Sequence, residues 1–142
     1  MPLLELDRRG AGYISDPKKR KAIEEHAEQL ATTHYEGKGW TVEKLGKPYD
    51  LRCTRGTEER YVEVKGTTGA ATSVELTINE VLHAQDKNNS VDLYVVSDIR
   101  GDTATDPYTP SGGTVSHYPD WEPAEEDLRP RKYEYRLPDL TA

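Results

Sequence analysis

The sequence predicts an α/β domain: a mixed sheet flanked by helices, in the order helix, three strands, helix, strand, with extra strands after it. Three observations predict this. An apolar stripe with the helical period runs through "SDPKKRKAIEEHAEQLATTHYEGKG". Three short β-branched or aromatic segments punctuated by Gly or Pro follow it. A second, shorter helical pattern then leads into "VDLYVVSDI", the most apolar run of the chain.

Each element has its own justification. In the first helix Ser15 or Asp16 can cap, Pro17 suits the first helical position, and Gly37 or Gly39 can end it. Ile23, Ala27, Leu30, Ala31 and Tyr35 fall on one face. Trp40 is expected to anchor the junction to "GWTVEKL", the first strand segment, which precedes "YDLRC" and "RYVEVKG". "SVELT" reads as a short extended piece running into a helix, where Thr77 and Glu80 have capping-box spacing. "VDLYVVSDI" then has the texture of a strand buried on both faces.

After Ile99 the texture changes. "RGDTATDPYTPSGGT" reads as a polar loop and "TVSHY" and "KYEYRLP" as late strands. Trp121 and Tyr118 are expected to pack the tail back onto the domain, with base stacking as the alternative. The expected organisation is an arm over 1–14, a core over 15–100 and a loop-rich extension over 101–142 that packs on the core.

Composition narrows the function classes. A chain of 142 residues fits one domain, and 34% apolar against 32% charged residues gives a lean core. The formal charge of −7 argues against a generic, sticky nucleic-acid binder, though not against an enzyme with a local basic groove. Cys53 is the single cysteine, so no internal disulfide can form. With no secretory signal and no membrane span, the expectation is a soluble, cytoplasmic protein.

The hairpin "PYDLRCTRGTEERYVEVKGTT" carries the chemistry. Placing Asp50 opposite Glu63 puts Leu51 opposite Val62 and Cys53 opposite Arg60, with Arg55–Glu58 as a four-residue loop. Asp50, Glu63 and Lys65 then project from one face, and Leu51, Val62 and Val64 from the other. Two opposed carboxylates repel, and burial adds a desolvation cost. Lys65 relieves part of this, and a divalent cation relieves more. Oxygen ligands suit Mg²⁺ or Mn²⁺, and no His or Cys cluster points to zinc. A cation there could polarise a phosphate and acidify a water, with Lys65 orienting the water or stabilising charge. The alternative is a solvated hairpin face.

"PYD" followed by "EVK" resembles the PD-(D/E)XK nuclease signature. "AIEEHA", "GWTVEKLGKPYDLRC", "YVEVKGTTG" and "VELTINEVLHAQ" are together similar to the NO VEIN C-terminal domain, a domain of unknown function also found in bacterial restriction-type proteins. The resemblance covers about residues 20–99. It implies a restriction-endonuclease-like fold and a metal-dependent nuclease cleaving phosphodiesters, with DNA in a restriction or defence setting as the expected substrate. By position, Asp50 and Glu63 would bind the metal and Lys65 would be the catalytic lysine. Glu24 of the first helix would add a third metal carboxylate, with Glu28 as its fallback.

Weaker features remain. Lys18, Lys19 and Arg20 form the best footprint for a phosphate backbone, at the helix end whose dipole least favours cations. Thr67, after Lys65, and Asn79, near a helix start, could approach phosphates. His26, His34, His83 and His117 have no ligand spacing. The rival reading is a catalytically silent module that binds nucleic acid or a protein. A partner protein supplying specificity, or a homodimer, is compatible with either.

Overall fold

The computed structural model describes residues 16–47, 49–102, 107–132 and 134–140. Helix α1 spans Pro17–Glu36. It begins where the Asp16 carboxylate accepts the Lys18 and Lys19 backbone N–H groups, at 2.8 and 3.5 Å. It ends at Gly37, and Trp40 N–H then returns to the Tyr35 carbonyl at 3.1 Å. Strands β1 (Thr41–Lys44), β2 (Leu51–Arg55) and β3 (Glu58–Gly66) follow as an antiparallel meander. Helix α2 (Ile78–Gln85) crosses to β4 (Val91–Ser97), which pairs parallel to β3.

The later chain is more ordered than its composition announces. Strands β5 (Arg100–Asp102) and β6 (Thr109–Ser111) pair antiparallel where the sequence reads as a loop. Strand β7 (Thr114–Tyr118) pairs antiparallel with β4, so the five-stranded sheet has the order β1-β2-β3-β4-β7. The extension thus supplies one strand of the main sheet. The described residues of "KYEYRLP" form no strand: Tyr135 and Leu137 are exposed and pair with no strand among the described residues, while Tyr133 lies outside them. "SVELT" joins no ladder. The expected arm, residues 1–14, also lies outside the described residues.

Two apolar clusters hold the layers together. Alternation sends Leu51, Cys53, Val62, Val64, Tyr94 and Val96 to one face, where they meet Ile23, Ala27, Ala31 and Tyr35 of α1. Fully burying a side chain such as Ile23 is worth about 1.5–3 kcal/mol. On the other face Tyr49, Ala84 and Val91 form a smaller cluster with Leu45, Tyr61 and Trp121. Trp40 joins the first cluster as expected, and Trp121 packs back while Tyr118 is half exposed. No helix among the described residues is long and apolar enough to cross a membrane.

Candidate active site

The β2–β3 register brings the chemistry together. Leu51 pairs with Val62 and Cys53 with Arg60, as expected, but Arg55 also pairs with Glu58. The four-residue loop is therefore a two-residue turn, Gly56-Thr57. Gly56 takes φ +62°, the left-handed value that the first position of a type II′ turn requires.

Asp50 stands just ahead of β2. Its carboxylate accepts the Val64 backbone N–H at 2.7 Å, a ladder donor left over where β2 begins. Its backbone carbonyl accepts Leu45 N–H at 2.9 Å, tying it to the end of β1. The neighbouring Tyr49 is buried, stacked on Tyr61 at 4.3 Å and hydrogen-bonded to the Asn89 side chain at 2.8 Å. These contacts fix the backbone from which Asp50 projects.

Glu63 lies in mid-β3, the central strand, paired with Leu93 of β4, and is 1% exposed. No protein donor reaches either of its side-chain oxygens. Burial pushes its carboxyl up to about 8; the charges of Asp50 and Glu80, and a hydrogen bond its protonated form makes with the Glu80 side chain, add to the rise against the opposing Lys65. Burial likewise raises Asp50 to about 6; the Val64 N–H pulls it down, while Glu28 and Glu80 push it up. His34 Nε2 and His83 Nδ1 are also unpartnered.

Lys65 reaches Glu80 of α2, Nζ to Oε1 at 3.2 Å. Of the two helix carboxylates, Glu28 is the one whose charge acts on Asp50; it is half-buried and pairs with Lys44 at 3.6 Å. Glu24, one turn earlier, is exposed. Each follows a buried residue of α1, Ile23 or Ala27, so helix pitch alone does not separate the two. Among the described residues no three His, Cys, Asp or Glu side chains gather closely enough to hold a metal unaided.

The weaker candidates are scattered. Lys18 and Arg20 are exposed on the first turn of α1, and Lys19 Nζ lies 5.7 Å from the Tyr108 ring centre. Thr67 is partly buried and structural: its N–H donates to Val96, its carbonyl accepts Ile99 N–H and its hydroxyl accepts Gly69 N–H. Asn79 is exposed on the first turn of α2, beside Glu80.

A second polar centre, on the α1 face, escaped the sequence reading. Asp92 is 2% exposed and binds the Tyr35 hydroxyl, Arg60 at 2.6 Å and the Asp120 N–H at 2.9 Å. His117 Nε2 stands 2.9 Å from the same hydroxyl. Burial opposes the Asp92 charge, but these donors outweigh it and hold its carboxyl below the usual range. An acid within the most apolar run of the chain was the available signal. Both its oxygens are engaged, and Asp92 fastens β4 to α1, β3 and the segment after β7, whereas Glu63 meets no protein donor.

The family model described as Protein NO VEIN, C-terminal, matches residues 23–109. No curated protein and no solved structure matches the chain.

Proposed function

Because this chain belongs to the NO VEIN C-terminal family, whose matched span holds Asp50, Glu63, Lys65 and Glu80 together, we propose that it is a metal-dependent nuclease of the restriction-endonuclease-like type. Its substrate on this reading is DNA, in a restriction or defence role. The observation that carries the reading is Glu63, a buried carboxylate that no protein donor reaches, beside a second raised carboxylate. Leaving such a group unpaired costs a typical fold at least about 1–3 kcal/mol. A Mg²⁺ or Mn²⁺ ion removes that cost.

The residues fit such an ion in a particular way. Mg²⁺ characteristically takes one or two carboxylates and completes its shell with water and substrate phosphate. Asp50 and Glu63 are therefore sufficient, and the lack of a gathered trio is compatible with the ion arriving with substrate. When bound, the ion supplies charge that polarises the phosphate and acidifies water.

The chain's own groups do the rest. Asp50 is oriented by the Val64 N–H, so one of its oxygens has a fixed direction. Lys65, a quarter exposed, is placed to offset negative charge growing on the phosphate. In the reaction water adds to phosphorus, the bond to the leaving sugar oxygen breaks, and that oxygen takes up a proton.

The testing experiment is a cleavage panel of single- and double-stranded DNA, modified DNA and RNA in Mg²⁺, Mn²⁺ or EDTA, with Lys65→Ala as control. Cutting that needs metal and disappears in the variant supports the reading and names the substrate class. A folded protein that binds neither metal nor cuts any substrate overturns it. The formal charge of −7 favours the second reading, a silent binding module, and that outcome would select it.

A further inference from the structure

The ammonium closest in sequence to the unpartnered carboxylate does not satisfy it. Lys65 and Glu63 are two residues apart on one face of β3. No protein donor nevertheless reaches either Glu63 oxygen, and Lys65 Nζ is given to Glu80 at 3.2 Å. A lysine with four rotatable bonds would ordinarily relieve the costlier buried charge first.

Glu80 wins because it is fixed in place beforehand. Its Oε1 accepts the Thr77 backbone N–H at 2.9 Å, and Thr77 Oγ1 accepts the Glu80 N–H at 3.1 Å. This closed capping box anchors the carboxylate at the start of α2. The same Oε1 receives both the helix-start N–H and the lysine.

Resting on the metal-centre reading above, we propose that Glu80 is a positioning residue that holds Lys65 away from Glu63 and so reserves the Glu63 oxygens for a divalent cation. The capping role and the holding role are separable. A glutamine at 80 still accepts the Thr77 N–H, as capping boxes allow, but offers Lys65 no charge.

The test is Mn²⁺ titration by calorimetry at pH 8 on four chains: wild type, Glu80→Gln, Lys65→Met and the double variant, each checked for folding by its melt in EDTA. Glu80→Gln should bind Mn²⁺ roughly tenfold more weakly than wild type, because the released ammonium competes for Glu63. In the Lys65→Met background the same change should cost no more than about twofold, the screened loss of one nearby charge. Equal losses in both backgrounds, or no loss in either, overturn the role of Glu80. A wild-type chain that binds no Mn²⁺ sinks the metal-centre reading itself, a result distinct from both.

Discussion

At the scale of single residues, Glu63 sets the behaviour of the protein. Its carboxyl rises from an ordinary 4.5 to about 8, and that of Asp50 from 3.8 to about 6, both through burial first. The folded chain therefore holds protons that the unfolded chain has released. Stability contributed by these groups is present below their ordinary values and is lost as pH climbs through 6 and then 8. In EDTA the melting temperature should fall between pH 5 and pH 8, and Glu63→Gln should flatten that fall. With Mn²⁺ a hundredfold above its dissociation constant, the wild type at pH 8 should regain about 2.7 kcal/mol. Asp50→Ala should regain none, as read by thermal melts. Tyr35→Phe tests the other centre: it strips the buried Asp92 of a donor and should cost about 1–3 kcal/mol without changing Mn²⁺ affinity. That Glu63 and Lys65 share a side of β3 was legible because strand alternation fixes sides, whereas Asp50 stands outside the β2–β3 ladder and acts on Glu63 only through its charge. The Asp92 network was not, since Tyr35, Arg60, Asp92 and His117 meet only after four separate elements have docked.

At the scale of elements, α1 lies close against the end of β3. A Cβ on Gly66 would stand 2.9 Å from Ala27 Cβ and 3.2 Å from the Ile23 carbonyl oxygen, so the glycine is needed for close approach. Gly66→Ala should cost about 1–3 kcal/mol through overpacking, measured by denaturant unfolding. Lys65→Met, one residue away, should show no such penalty. The helices and most strands could be read from period, caps and turn residues, as Asp16, Thr77 and Gly56 illustrate. What could not be read was the fate of near-identical textures. "TVSHY" and "KYEYRLP" both look like strands, yet only the first finds an open edge, that of β4. Glu24 and Glu28 are likewise equivalent in sequence, and only the tilt and height of α1 over the sheet distinguish them.

At the scale of the whole molecule, an acidic surface surrounds a centre proposed to engage a polyanion. Seven net negative charges leave little long-range attraction for nucleic acid. Binding by the isolated chain should be no tighter than typical non-specific affinities, about 10⁻⁴–10⁻⁶ M, and should weaken steeply with salt in fluorescence anisotropy. A basic partner or a second copy would remove that barrier. The parallel pairing of β3 with β4 has a further consequence, and it concerns time. Residues 61–66 must find residues 91–96 across the whole α2 connection before the sheet has a centre. Such non-local pairings slow folding. That pairing carries Glu63 into the interior, so its carboxylate has to shed water as the strands meet. Refolding in EDTA should accordingly be faster at pH 5.5 than at pH 8.5 in stopped-flow traces. The residue proposed to prepare the protein for its metal is thus also the one that delays its birth.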